Sequence, residues 1–378
     1  MNFGRFPTPH HPPVYTTHRR YNLSESTSPD LTLGDIIDLV GLDAIRAFKV
    51  DYGYEQEGLS TFRQAISQRC GVPIESVLTT LGAAFALYLI SAELSDKPNK
   101  TAIIAAPYFQ QSHDTLAASG WRIKTVQNNF DKGYALNVDG IVSLLDETIQ
   151  LVSIASPQNP SGVSIPLETI GELLTMIAQK APQAYLLVDE TYREAAFSAE
   201  TLIPSAAGAF PSDRLITCSS VSKAYGAPGL RAGWLTTRDM DLMARLLNAT
   251  KNIVICHPRL NEQLATILMH NADTVLEKQR RSLNPAPELV AAWQQTEQAR
   301  VDWNRPNAGA LCCMRLGTQF SDAQLPHFWQ ALADNDTIVR PGLLFGSDIR
   351  HFRLGFGHLS LHDLEIGLSN LSAALDAM

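Results

Sequence analysis

Ser219-Ser220-Val221-Ser222-Lys223-Ala224-Tyr225-Gly226-Ala227-Pro228-Gly229-Leu230-Arg231-Ala232-Gly233-Trp234 sets one lysine among hydroxyls and small residues, with an arginine eight positions on. A lysine amine that forms an imine needs a partly dry pocket and neighbouring charge that keeps it reactive. An anionic ligand beside it needs hydroxyl donors and a guanidinium fork, which Ser220, Ser222 and Arg231 offer. Glycines let backbone come close to that ligand. The run follows Leu215 to Ser219, a short apolar stretch that reads as a buried strand.

Working outward, strand and helix patterns alternate from about Ser60 to Val254. Thr101 to Ala106, Ile149 to Ala155 and Ala184 to Val188 are apolar strand-like runs. Between them lie helical patterns: Phe62, Ala65, Ile66 and Arg69 with Ser60 or Thr61 as cap, Gly82 to Leu94, and Pro166 to Lys180. This order predicts an α/β fold, a mostly parallel sheet with helices on both faces, whose functional residues gather at the strand carboxyl ends. From Asp239 toward Arg281 a long helical pattern is expected to join two domains. Strands at Ala308 to Leu316, Thr337 to Arg340 and Phe352 to Gly355, and helices at Asp322 to Asn335 and Leu361 to Met378 with Ser360 as cap, predict a smaller α/β domain. The segment Asn22 to Ala47 is expected to join it. The domains expected are an N-terminal arm and small-domain segment over 1–47, a large domain over 48–255, and a small C-terminal domain with its connecting helix over 256–378.

A chain of 378 residues fits two domains. Its 45% hydrophobic and 18% charged content is that of a globular protein. A formal charge of −8 gives nucleic acid no electrostatic foothold. No apolar run is long enough to span a bilayer. Met1 to Arg20 has no apolar core and does not read as a signal peptide. Five cysteines show no metal-type spacing, and Cys312 with Cys313 reads as strand packing. No metal site is predicted, and the expected setting is a reduced cytoplasm.

Further motifs follow the other strands. Ser156-Pro157-Gln158-Asn159-Pro160-Ser161-Gly162 is dense in turn formers. Leu186-Leu187-Val188-Asp189-Glu190-Thr191-Tyr192 ends an apolar strand on a carboxylate. Leu81-Gly82-Ala83-Ala84 enters a helix, where free N–H groups attract phosphate. Pro107-Tyr108-Phe109 puts aromatics just past a strand. Tyr52-Gly53-Tyr54-Glu55-Gln56-Glu57-Gly58 precedes the first helix, and Arg340-Pro341-Gly342-Leu343-Leu344-Phe345-Gly346 precedes Arg353 on a short strand.

In order and approximate spacing, from about Tyr52 to Met378, these motifs resemble those of fold-type-I pyridoxal-5'-phosphate enzymes, the class I/II aminotransferase superfamily. The resemblance implies a large domain with a seven-stranded sheet and a smaller C-terminal domain. It implies that Lys223 carries the cofactor as an aldimine, and that Ser220, Ser222, Arg231 and the backbone of Gly82, Ala83 and Ala84 hold its phosphate. Ala84 stands where relatives often have a hydroxyl, so only backbone contacts carry over there. Asp189 pairs with the pyridine nitrogen, and Asn159 and Tyr192 meet the phenolic oxygen. An aromatic stacks on the ring, with Phe109 favoured over Tyr108. Tyr54, or else Tyr52, reaches the phosphate of a partner subunit, which implies a homodimer. Arg353, with Asn159, binds the substrate carboxylate.

The catalytic set implied is Lys223, Asp189 and Tyr192, and the activity is transfer of an amino group between an L-amino acid and a 2-oxo acid. The alternative is a lyase, cyclase or oxidase acting on an amino acid such as arginine. The lysine loop and the Pro-Gly-x-x-Phe-Gly region are similar to those of capreomycidine synthase-like, arginine-cyclising members. A regulatory effector domain is the remaining reading, but Met1 to Tyr21 is too short for a DNA-binding helix-turn-helix region. Leu23 to Asp30 departs from the Gly-x-Pro or Gly-Glu-Pro of relatives. Its Glu25 and Asp30, with Glu55 and Glu57, suggest a donor with a basic or polar side chain.

Overall fold

The computed structural model describes residues 19–94 and 100–378. The signal-peptide and helix-turn-helix readings at the N-terminus concern mainly residues 1–18, which lie outside the described residues.

Seven strands form the main sheet, in the order Val77–Thr80, Gly233–Thr237, Leu215–Ser220, Tyr185–Asp189, Ile149–Ala155, Thr101–Ala106 and Arg122–Gln127. Only Gly233–Thr237 runs antiparallel to its neighbours. The expected mostly parallel α/β sheet is therefore observed, because its strands are apolar on both faces and need helices on each side. One face packs Leu78, Leu87, Ile90 and Leu151 with Leu242 and Leu246 of helix Met240–Val254. The other packs Ile103, Val152, Ile154 and Val188 with Ile170, Leu173 and Ile177 of helix Leu167–Lys180.

A second, antiparallel sheet takes the order Arg340–Pro341, His351–Gly355, Leu311–Leu316, Val301–Trp303. Its core, Met314, Phe328, Phe352, Leu364 and Leu371, also takes in Leu23. The adjacent Tyr21–Asn22 pairs parallel with Thr337–Ile338. Cys312 and Cys313 are buried in strand Leu311–Leu316, Cys312 in its core and Cys313 with its Sγ 3.2 Å from the Tyr134 hydroxyl, and all five cysteines are free of disulfides. No helix among the described residues is long and apolar enough to cross a membrane.

The structure differs from the sequence reading in several local ways. The long helix from Asp239 is three helices, Met240–Val254, Arg259–His270 and Ala272–Leu283. It breaks where Ile255 takes φ 64° and where Pro258, which cannot donate a helical hydrogen bond, precedes Arg259. Neither Ser60 nor Thr61 caps the helix Ser60–Cys70; Leu59 holds that position. Carboxylates from outside the helix do the work instead: Glu55 accepts from Ser60 N–H at 2.5 Å and Glu262 from Leu59 N–H at 2.8 Å. The run Thr337 to Arg340 is two short strands with different partners. The segment Asn22 to Ala47 divides. Its start pairs with Thr337–Ile338 and puts Leu23 into the core of the second sheet, whereas Ile36 of helix Leu33–Val40 packs with Phe62, Ile66, Leu264, Leu268 and Leu276. One core thus draws on residues before 48, between 48 and 255, and after 255. Ser360 caps the last helix as expected, accepting from Asp363 N–H.

Candidate active site

Five chain segments leave the carboxyl ends of the main-sheet strands and converge on one cavity of about 190 Å³. Val77–Thr80 leads into Gly82 and the helix Ala83–Glu93, whose first residues Ala83 and Ala84 line the wall. Thr101–Ala106 delivers Phe109, Ile149–Ala155 delivers Asn159, and Tyr185–Asp189 ends on Asp189 and is followed by Tyr192. Leu215–Ser220 delivers Ser220, Ser222 and Lys223, and Arg231 closes the ring.

One end of the cavity is built for an anion. The leading amides of the helix Ala83–Glu93 have no acceptor within the helix, and Ser220 and Ser222 place buried hydroxyls beside them. Arg231, at φ 49°, bonds the carbonyl oxygens of Leu81 and Pro228 at 3.1 Å each, which fixes its guanidinium over the turn. Gly82 is required there: it has φ 81°, and a Cβ on it would lie 2.4 Å from Arg231 Nη2.

Asp189 lies deeper and is buried. Its Oδ1 accepts from Thr191 N–H at 3.0 Å and from Thr191 Oγ1 at 2.5 Å. Burial pushes its pKa up, and the Thr191 bonds pull against that. A buried carboxyl of this kind suits a cationic N–H partner.

Lys223 Nζ donates to Ser26 Oγ at 3.2 Å and stands 5.8 Å from the ring centre of Tyr192. The Tyr192 hydroxyl donates to the same Ser26 oxygen at 2.8 Å. Arg353, from the middle of His351–Gly355, is buried and crosses from the second sheet toward this wall. Its Nη1 donates to Asn159 Oδ1 at 2.9 Å and its Nη2 to the Ser24 carbonyl at 2.5 Å, while its Nε is buried without a partner. The guanidinium carbon sits 4.9 Å over the Phe345 ring. Burial draws its pKa down to about 10. Among the described residues no carboxylate lies within ion-pair distance of it. A buried guanidinium with an unpartnered N–H could hold a carboxylate.

Of the residues given a site role from the sequence, Tyr54 stands apart from the cavity within the chain, 90% exposed at φ 55°, and its alternative Tyr52 is 65% exposed; Gly82 and Arg353 do not line the cavity but touch its lining residues Arg231 and Asn159. Phe109, not Tyr108, lines the cavity. Tyr108 stacks on His113 and abuts Gly346. Sequence reading missed Ser24 and Ser26. Their segment stood out for its missing glycines, and attention went to its carboxylates. The usable signal was the run of four hydroxyl residues, Ser24, Ser26, Thr27 and Ser28, all of them buried.

Comparison with known proteins bears on the family and the fold. The family model for aminotransferase class I and II matches residues 49–371. The chain is 27% identical over 303 residues to capreomycidine synthase of Streptomyces vinaceus, covering 80% of this chain and 75% of that one. It is 26% identical over 335 residues to an arginine–pyruvate transaminase of Pseudomonas aeruginosa, covering 86% and 83%. Its fold matches the crystal structure of a PLP-dependent aminotransferase from Streptococcus suis with a TM-score of 0.84 at 25% identity, over 95% of this chain and 94% of that one.

Proposed function

The chain belongs to the class I and II aminotransferase family and uses pyridoxal 5'-phosphate, and on that premise we propose that it transfers an amino group between an L-amino acid and a 2-oxo acid, with Lys223 as the cofactor-bearing lysine. The observation that carries this reading is the cavity itself. It joins one amine, Lys223, to a buried acid, Asp189, and to an anion-binding end of hydroxyls, amides and Arg231. That donor set fits the cofactor: an anion at one end, a basic nitrogen at the other, an amine-reactive carbon between.

Bound there, pyridoxal phosphate supplies an aldehyde carbon for amines and a ring that withdraws the electron pair left at the substrate Cα. Ser220, Ser222, Arg231 and the Ala83–Ala84 amides hold the phosphate, with Gly82 keeping the turn open. Asp189 keeps a proton on the ring nitrogen. Phe109 would line the face of the ring, and Tyr192, whose single hydroxyl proton goes to Ser26 Oγ, would stand beside the ring's phenolic oxygen. Asn159 gives its Oδ1 to Arg353, so its Nδ2 is left to donate to a ligand oxygen. Arg353 fixes the substrate carboxylate and so aims the Cα–H bond. Lys223 Nζ, as the free amine, takes the Cα proton. We further propose a homodimer in which Tyr54 reaches the partner's cavity. The exposure of Val50, Tyr52 and Tyr54 along one segment supports it.

A second reading, a cyclase or lyase acting on arginine or a similar amino acid, is favoured by the similarity to capreomycidine synthase over 80% of the chain. In both readings arginine is the first donor to test. Glu25 lies close enough for its charge to act on Arg353, which supports a cationic side chain at this mouth. The experiment is a half-reaction screen: mix holoenzyme with each amino acid, follow its visible absorbance, and quantify the keto acid. One equivalent of keto acid per site supports transamination. Consumption of amino acid without keto acid supports the second reading. Borohydride reduction and mass mapping accompany the screen; an adduct on a lysine other than Lys223 would remove both.

A further inference from the structure

The N-terminal strap Ser24-Glu25-Ser26 touches both halves of the proposed chemistry. The Ser24 carbonyl holds Arg353 Nη2, and two residues on, Ser26 Oγ accepts from Lys223 Nζ and from the Tyr192 hydroxyl. Ser26 is buried, so no bulk water replaces its oxygen. A serine hydroxyl has two acceptor sites and one proton. Lys223 and Tyr192 take the two acceptor sites, which fills that side of the oxygen. The strap is held in place by the second sheet: Gly355 N–H donates to the Leu23 carbonyl at 2.8 Å. Gly355 also lets the strap lie close, since a Cβ there would sit 1.6 Å from the Glu25 carbonyl oxygen.

We propose that Ser26 is a positioning residue of this chain: its hydroxyl holds the free amine of Lys223 beside Tyr192, in register with Arg353. This rests on the reading of Lys223 as the reacting lysine. A freed lysine side chain has four rotatable bonds and wanders unless something receives it. Ser26 receives Nζ at a fixed point. Because the same strap holds Arg353, the amine and the carboxylate grip keep a constant spacing, so the Cα proton of a bound amino acid meets the amine without a search. The proton moves from substrate Cα to Lys223 Nζ; Ser26 keeps its own proton throughout and only accepts.

The test uses Ser26→Ala and Ser26→Thr, with two readouts. In single-turnover mixing of holoenzyme with a reactive amino acid, Ser26→Ala is expected to slow the rate about tenfold, the upper end of what one neutral hydrogen bond contributes, with amino-acid affinity changed less than about twofold. In the apoprotein, trinitrobenzenesulfonate labelling of Lys223, read by mass mapping, is expected to speed up severalfold because the amine has lost its anchor. Ser26→Thr keeps the hydroxyl and is expected to approach the parent in both. Parent-like rate and labelling in Ser26→Ala would overturn the proposal. So would a slowed rate with parent-like labelling, which marks a merely structural serine. Gly355→Ala displaces the strap without touching Lys223 and is expected to reproduce the faster labelling; labelling at the parent rate there counts against the strap. A borohydride adduct away from Lys223 would instead overturn the reading beneath, whatever Ser26 does.

Discussion

Replacing Arg353 by alanine is expected to damage amino-acid binding far more than the fold. Its two hydrogen bonds, to Asn159 Oδ1 and the Ser24 carbonyl, are charge-assisted and worth about 1.5–3 kcal/mol each. Against them stands the cost of keeping the cation buried. At about 1.4 kcal/mol per tenfold change in proton affinity, the fall of its pKa to about 10 corresponds to roughly 3 kcal/mol. The two nearly offset, leaving a net loss of about 0–3 kcal/mol and a melting-temperature drop of a few degrees. Substrate binding has no such offset, because the desolvation of the guanidinium is already complete in the fold. Losing a bidentate grip on a carboxylate costs about 1.5–3 kcal/mol, or roughly 10- to 150-fold in Kd. The assay is titration of the visible absorbance of holoenzyme with an amino acid and with the matching amine that lacks the carboxylate. The variant is expected to lose affinity for the amino acid only, with cofactor affinity held within about threefold. Equal losses for both ligands, or an unchanged midpoint for the amino acid, would refute the reasoning.

Gly82→Ala forces a side chain into a φ 81° backbone and against Arg231 Nη2. Cofactor affinity, measured by equilibrium dialysis, is expected to fall at least about tenfold, matching the loss of one charged hydrogen bond; parent affinity would clear Arg231 of a phosphate role. Asp189→Asn removes the acid from the ring nitrogen, and the rate of Cα hydrogen exchange into deuterated water is expected to collapse while the protein stays folded; a rate within a few-fold of the parent would show that Asp189 has another role. His257 is buried with both ring nitrogens unpartnered, and burial alone draws its pKa down to about 4. A depressed histidine stabilises the fold above its unfolded pKa of about 6.5, and that stability drains as pH falls from there through about 4. Urea unfolding of His257→Phe and the parent at pH 7 and pH 4.5 is expected to show the parent losing more; equal losses would mean that His257 finds a partner. Sedimentation of the active enzyme is expected to give a dimer, and full activity as a monomer would remove the role assigned to Tyr54.

The sequence alone determined four of the seven sheet strands and most of the cavity; Val77–Thr80, Arg122–Gln127 and Gly233–Thr237, with their polar or mixed residues, emerge only in the structure. The strands that lead to Phe109, Asn159, Asp189 and Lys223 are short apolar runs followed by turns, and parallel strands necessarily bring such turns to one edge. Local composition therefore carried global position for these residues. It did not carry the break at Ile255–Pro258: Pro258 was a local signal, but apolar helical spacing resumes beyond it, and the positive φ of Ile255 has no mark in the sequence. It did not carry the division of residues 22–47 either, since an amphipathic helix such as Leu33–Val40 says that it has an apolar face but not which core receives it. The contact of Ser26 with Lys223 spans 197 residues. A serine in a hydroxyl-rich turn has no periodicity and no partner in its own neighbourhood that would mark it. Only the closure of the second sheet onto the first, through Gly355 and Arg353, sets that hydroxyl against the amine.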